Sequence, residues 1–205
     1  MSSLIGTVDV SRETLNALEQ FSALVLKWTA HINLISVNTI DDIWDRHMVD
    51  SAQIFRFAPK NFKTWLDIGS GGGFPGIVVA ILGKELAPDA EFILVESDQR
   101  KATFLRTAIR ELALNAKVAA DRIENQPAMN ADVISARALG SLPSLLPLIS
   151  QHMAPSGLAL LHKGRRVDQE IALARQEWRF YLEEASSLTD PDGRLLLIQR
   201  ISRVA

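Results

Sequence analysis

The 205-residue sequence contains no cysteine, which excludes disulfides, thiolate metal sites and cysteine nucleophiles together. That absence suits a reducing compartment, and a cytoplasmic protein is expected. An excess of charge is also missing: 22 Lys and Arg face 24 Asp and Glu, a net charge of -2. The global basic signature of many nucleic-acid binders is therefore lacking, and any RNA contact must come from a local patch. No uncharged apolar run approaches the roughly 20 residues of a membrane span. Residues 1–9 have neither the basic start nor the apolar core of a signal peptide, so a soluble chain with no membrane partner is expected. His31, His152 and His162 are scattered without paired ligand spacing, and no metal is expected.

What is present suffices for a core without staples. Hydrophobic residues make up 47% of the chain, and at this length folding removes about 70% of the unfolded surface from water. One domain with a small appendage is the natural expectation. Leu15, Leu18, Phe21, Leu24, Val25 and Trp28 fall three or four apart, the stripe of an amphipathic helix from Ser11 to Trp28 with Ser11 as N-cap. A second helical pattern runs from about Thr39 to Phe57, with Pro59 just past its end. Trp28, Trp44 and Phe55 sit on these stripes and are assigned to packing. The first sixty residues read as helices with no strong strand, an N-terminal helical extension over residues 1–60.

Beyond Pro59 short apolar runs alternate with helical stretches. Strands are expected at Thr64 to Ile68, Glu91 to Glu96, Lys117 to Ala120, Ala131 to Ser135 and Gly157 to His162. Helices are expected between them at Gly76 to Glu85, Gln99 to Leu112, Leu142 to His152 and Val167 to Trp178. Continuous runs such as Phe92-Ile93-Leu94-Val95 suit strands buried on both faces, and right-handed crossovers place helices on both sides of a parallel sheet. Arg179 to Leu188 and Arg194 to Ile201 flank Asp190-Pro191-Asp192-Gly193, a turn too short for a crossover helix. The reading is a doubly wound α/β domain over residues 61–205, mostly parallel and seven-stranded, closed by a C-terminal antiparallel hairpin.

The strongest local signal is Asp67-Ile68-Gly69-Ser70-Gly71-Gly72-Gly73-Phe74-Pro75-Gly76, between the first expected strand and helix of that domain. Clustered glycines allow a sharp turn and let a ligand lie against the main chain, and in open α/β sheets that ligand sits outside the carboxyl ends of the strands. A phosphate-binding P-loop needs Gly-Lys followed by Ser or Thr, which this loop lacks. The dinucleotide pattern matches Gly69 and Gly71 but meets Phe74 at its third glycine, which weakens an NAD-dependent dehydrogenase. The acidic-x-Gly-x-Gly-x-Gly loop of class I methyltransferases matches at Asp67, Gly69, Gly71 and Gly73. Glu96, ending the second strand, can accept from both hydroxyls of an adenosine ribose, and Ser97 and Asp98 follow it into the candidate site. S-adenosylmethionine is the expected cofactor.

Further elements give a more specific likeness. Ile32-Asn33-Leu34-Ile35-Ser36, Arg46-His47 with Asp50-Ser51, the loop through Phe74-Pro75-Gly76, Ser135-Ala136-Arg137-Ala138 and His162-Lys163-Gly164 occur in one order along nearly the whole chain. In these the sequence resembles the bacterial 16S ribosomal RNA guanine-N7 methyltransferases, also called the glucose-inhibited division protein B family. The resemblance implies a class I, Rossmann-like methyltransferase fold and a product 7-methylguanine at position 527, in the 530 loop of 16S rRNA. It implies that Gly69 and Phe74 line the donor pocket, Glu96 holds the ribose, Ile123-Glu124 flank the adenine and Arg137 reaches the cofactor. Ser36, Glu96 and Gly71-Gly72-Gly73 depart slightly from the family's usual residues without removing a required group.

Guanine N7 presents an unprotonated lone pair, so no nucleophile-base dyad is expected, and Arg137 and Lys163 are the candidates for direct involvement. Without the family, an interdomain salt bridge is an equal reading of Arg137. Arg46 and Asp50 lie four apart and His47 three from Asp50, which on one helix face is ordinarily an exposed ion pair beside a histidine. The resemblance raises Arg46 and His47 to candidates for RNA contact at the pocket mouth. Lys163, Arg165 and Arg166 form the clearest basic cluster and are candidates for rRNA phosphate, against the plain alternative of a solvated helix start. The expected partner is 16S rRNA or the small ribosomal subunit, and a monomer is expected. Rival readings are a methyltransferase acting on a small molecule or another RNA, and a noncatalytic RNA-binding module with a decayed pocket.

Overall fold

The computed structural model describes residues 3–204. Seven strands form one sheet: β3 (Thr64–Ile68), β4 (Glu91–Val95), β5 (Ala116–Ala119), β6 (Ala131–Arg137), β7 (Met153–Lys163), β8 (Trp178–Ser186) and β9 (Arg194–Arg203). Their order across the sheet is β5-β4-β3-β6-β7-β9-β8. The pairs from β5 to β7 are parallel, whereas β9 runs antiparallel to both β7 and β8. Successive crossovers travel outward from β3 to β5 and then return to β6 on the other side. Between β3 and β6 the order therefore reverses, and a crevice opens at the carboxyl ends of these strands.

Helices α3 (Gly76–Leu86), α4 (Gln99–Glu111), α5 (Leu142–His152) and α6 (Val167–Glu177) fill the crossovers at the stretches read from periodicity. Side-chain alternation along each strand feeds two cores. Trp65 and Leu94 join Phe21, Ile77 and Phe104 on one face, while Leu66, Ile68 and Ile134 join Leu145, Ile149 and Leu161 on the other. The first core takes in the N-terminal segment. Helix α1 (Arg12–Thr29) contributes Leu18, Phe21, Leu24 and Val25 to it. Ser11 caps that helix by accepting from the Thr14 N–H, and Glu85 at the end of α3 accepts from Thr14 Oγ1 at 2.6 Å.

Two expectations for the first sixty residues need correction. Strands β1 (Ser3–Ile5) and β2 (Val8–Val10) form a hairpin where no strong strand was expected. Each holds only three residues, and the turn is Gly6-Thr7 with both residues at positive φ (54° and 73°), not the Asn-Gly pair that marks such turns in a sequence. The second expected helix is broken into a 3-10 turn at Val37–Thr39, a π-helical turn at Trp44–Val49, the short α2 (Asp50–Ala52) and a 3-10 stretch at Gln53–Phe57. A widened turn shifts the phase of every residue after it. Arg46 and Asp50 thus do not pair: Arg46 Nη1 stands 3.7 Å from Asp190 Oδ2, while Asp50 is buried.

Candidate active site

The glycine loop bridges β3 and β4. Gly69 and Ser70 both donate backbone N–H bonds to the Val95 carbonyl, at 2.9 and 3.0 Å, so the loop closes over the end of β4. There it meets Glu96, whose Oε2 accepts from the Gly71 N–H at 2.8 Å and whose Oε1 accepts from the Asp98 N–H at 2.7 Å. Gly71 lies at φ +53°, and a Cβ there would meet nothing closer than the Gly69 carbonyl at 3.8 Å. Its bare backbone faces open space, a place where a ligand can approach the main chain. Gly76 is glycine for another reason: a Cβ would come within 2.5 Å of Asp67 Oδ2.

Asp67 itself faces away from that space. Its Oδ1 accepts from Ser135 Oγ at 2.6 Å, and Ser135 Oγ accepts from Trp65 Nε1 at 2.9 Å. The carboxyl thereby braces β3 against β6, and burial pushes its pKa up to about 6 against the hydrogen bonds that favour the charged form. Asp98 is an N-cap, and the Arg100 side chain together with the Lys101 and Arg100 backbone N–H groups holds its pKa down to about 2.

A cavity of about 460 Å³ lies along this loop. Of the expected donor-binding residues, Gly69, Gly71, Phe74, Glu96, Ser97 and Arg137 line it. Asp67, Asp98, Ile123 and Glu124 do not: Ile123 is buried in the second core and Glu124 is exposed. Leu34, Ile35, Ser36, Lys101 and Leu139 line it as well, unforeseen as site residues. The run Ile32 to Ser36 carries no local sign that it folds over the distant glycine loop. Phe74 supplies the link. Its ring packs 4.9 Å from that of His47 and 5.4 Å from that of Phe21, clamping the N-terminal segment onto the glycine loop.

His47, Arg137 and Ala138 also line a second cavity of about 290 Å³, so the two spaces share a wall. Asp50 organises this second space. Its Oδ1 accepts from Gln53 Nε2 at 2.8 Å and Thr189 Oγ1 at 3.0 Å, and its Oδ2 stands 3.3 Å from Arg137 Nε. Arg137 Nη2 donates to the Arg46 carbonyl at 2.8 Å, and the Asp50 carbonyl accepts from His162 Nε2 at 2.9 Å. Burial lowers the pKa of both histidines, that of His47 to about 4 with Arg137 adding to the effect, so both rings are neutral at physiological pH. Asp50, Gln53, Ser187 and Thr189 come from segments 134 or more residues apart, a convergence that spacing does not reveal.

The basic run after β7 is divided. The Lys163 side chain is only 5% exposed, its Nζ donating to Glu170 Oε2 at 2.9 Å and to the Gly140 carbonyl at 2.6 Å. Arg165 is exposed and pairs with Asp192 at 2.6 Å, and Arg166 is exposed. No helix among the described residues is long and apolar enough to cross a membrane.

Solved structures with this architecture share it at low identity. A TehB-like SAM-dependent methyltransferase from Corynebacterium glutamicum superposes with a TM-score of 0.59 at 13% identity, over 89% of this chain and 99% of that one. TYW2 from M. jannaschii, solved in complex with AdoMet, gives 0.57 at 11% identity, over 86% and 80%. Both show a class I methyltransferase fold. Sequence relatives are much nearer. Proteins named ribosomal RNA small subunit methyltransferase G are 52% identical in Cereibacter sphaeroides, over 98% of both chains, and 46% identical in Rhodospirillum centenum, over 94% of this chain and 87% of that one. The model of the GidB family, described as rRNA small subunit methyltransferase G, matches residues 14–195. With that span and those identities, the chain belongs to the rRNA small subunit methyltransferase G family.

Proposed function

We propose that this protein transfers a methyl group from S-adenosylmethionine to N7 of a guanine in the 530 loop of 16S rRNA. Family membership supports an rRNA methyltransferase, and one structural observation carries the reading further: the cavity along the glycine loop shares a wall with a second cavity, lined by the ends of β6 and β7, the start of β9 and the N-terminal segment. A donor site and a target site must adjoin in this way for an in-line displacement.

The residues present fit the donor. Glu96 uses one lone pair on each oxygen for a backbone N–H and keeps others for ribose hydroxyls. Gly71 leaves main chain bare, and His47, neutral by burial, adds no positive charge beside the cavity. Arg137 does carry charge there, but Asp50 offsets it. S-adenosylmethionine, when bound, supplies a methyl group activated by a cationic sulfur. Ser97, Phe74 and Gly69 complete the donor-binding set, and residues 61–205 provide it with one wall contributed by residues 1–60.

Guanine N7 needs no deprotonation, so the chain's task is to align the acceptor and exclude water, a contribution of up to roughly 7–11 kcal/mol in favourable cases. Lys163 serves by holding Gly140, and through it the loop after β6, from a fixed ion pair. The exposed Arg46, Arg165 and Arg166 are the phosphate contacts of this reading. Purified protein incubated with S-adenosylmethionine and small subunits from a strain lacking it should form 7-methylguanine in the 530 loop, as located by mass spectrometry. An undiminished level of that nucleoside in the deletion strain would sink the assignment.

A further inference from the structure

Three residues that line the second cavity each carry a buried polar atom without a hydrogen-bond partner: His47 Nδ1, His162 Nδ1 and Arg137 Nη1. Such groups cost stability unless something completes them. Their hydrogens can be assigned. Thr39 Oγ1 has one hydrogen and donates it to the Ser36 carbonyl at 2.8 Å. At the 2.9 Å contact with His47, therefore, His47 Nε2 is the donor and Nδ1 carries a lone pair. His162 Nε2 contacts the Asp50 carbonyl, which only accepts, so His162 Nδ1 also carries a lone pair. Arg137 spends Nε on Asp50 and Nη2 on the Arg46 carbonyl, and Nη1 can only donate.

The unfilled set is thus one donor and two acceptors. Among the standard bases only guanine offers the complement along its Watson–Crick edge: one acceptor, O6, and two donors, N1–H and the 2-amino group. Adenine offers a single donor there, and cytosine and uracil each offer one donor and two acceptors. Reading this edge also leaves N7 free, which a bidentate arginine contact to O6 and N7 would not.

We propose that the second cavity receives the target base, with Arg137 Nη1 donating to guanine O6 while His47 Nδ1 and His162 Nδ1 accept from N1–H and the 2-amino group. The assignment rests on the guanine-N7 reading above and adds to it the residues that select the base. Wall sharing sets the order. Arg137 and His47 line both cavities whereas His162 lines only the second, so O6, the neighbour of N7, lies toward the donor side. The 2-amino group, farthest from N7, falls to His162. All three atoms are covered without RNA, so entry of a base requires a local rearrangement of the wall.

The test uses small subunits reconstituted with guanosine or inosine at the target position, inosine lacking only the 2-amino group. Inosine N7 is intrinsically less nucleophilic, so the decisive quantity is how the guanosine-to-inosine ratio of kcat/KM changes between proteins. Wild type should lose about tenfold on inosine beyond that intrinsic difference, the scale of one buried hydrogen bond. His162→Phe should abolish the excess by slowing guanosine alone, His162→Gln should restore part of it through its amide oxygen, and both should bind S-adenosylmethionine within about twofold of wild type by calorimetry. An unchanged ratio in His162→Phe overturns the proposal. Should neither variant fold, the dissociation constants of the two subunit preparations for wild type decide, since N7 reactivity does not enter them; equal values overturn it. Failure of wild type to methylate the guanosine subunits would instead remove the rRNA reading on which the pocket rests.

Discussion

The two adjoining cavities differ in how their polar groups are satisfied. Along the glycine loop, Glu96 is held on both oxygens by backbone N–H groups at 2.7–2.8 Å, and the loop itself is tied to β4 through the Val95 carbonyl. Around Asp50 one carboxylate oxygen accepts from Gln53, Ser187 and Thr189 and the other faces Arg137, but its neighbours Arg137, His47 and His162 each keep a covered atom unpaired. The first space is rigid before anything binds. The second holds its partners in place yet leaves them incomplete, so completion by a ligand offsets a standing cost. Donor binding and target recognition should therefore respond to different substitutions even though one wall serves both.

The most disruptive way to separate them is Asp50→Ala. It strands the Arg137 guanidinium in a half-buried site and leaves Gln53, Ser187 and Thr189 without their common acceptor. Breaking a buried pair by removing one partner costs about 3 kcal/mol, and the chemical denaturation midpoint should fall accordingly. Methyl transfer should be lost at temperatures where the variant remains folded, while affinity for S-adenosylmethionine, measured by calorimetry, should fall only about tenfold, because Arg137 on the shared wall loses the carboxylate that offsets its charge. A comparable loss of donor affinity would mean that the two cavities are one energetic unit.

Glu96→Gln attacks the other side with a smaller effect. The amide keeps one acceptor oxygen but turns a donor toward either Gly71 or Asp98, whose N–H groups the carboxylate now takes. Losing one charge-assisted bond is worth about 2 kcal/mol, so the dissociation constant for S-adenosylmethionine should rise roughly thirtyfold. The guanosine-to-inosine ratio should not move, since Glu96 is absent from the second cavity. A changed ratio would break the division drawn above.

The same division explains what could be read from the chain. The donor loop is contiguous, from Asp67 to Gly76, and its partner Glu96 ends the next strand, so continuous apolar runs and glycine spacing locate both. Strand and helix positions were legible for the same reason: buried parallel strands and amphipathic helices carry their periodicity locally. The Asp50 network has no such signature. It draws on a π-helical turn, the end of β6, the end of β7 and the loop before β9, and the π turn alone defeats the helical spacing that suggested an Arg46–Asp50 pair. Asp67 shows the converse case. Its place in the motif suggested a ligand contact, but the close approach of Gly76 and the bond from Ser135 make it a strut.

Acidity gives the finest test, because His47 stands on the shared wall and should stay uncharged where a free imidazole would titrate. Its pKa falls from 6.5 to about 4, through desolvation first and Arg137 second. In the unfolded chain the ring takes up a proton as pH drops below about 6.5, whereas in the folded protein it does so only near 4. Its contribution to stability is thus fully present above 6.5 and is lost as pH falls through that window toward 4. Asp67 works in the opposite sense over an overlapping range, since its raised pKa of about 6 contributes stability at low pH that is lost as pH rises through 6. The measurement is therefore best made in an Asp67→Asn background, which keeps an oxygen for Ser135 and removes the opposing titration, leaving His162 and His152, whose pKa values burial also lowers, to act in the same direction as His47. In that protein the affinity for S-adenosylmethionine should change by less than about twofold between pH 8 and about 5.5, and stability should decline as pH falls through the same interval. An affinity that drops with a midpoint near 6.5 would show that His47 charges in the folded state, and with it the lone pair offered to the target base would be gone.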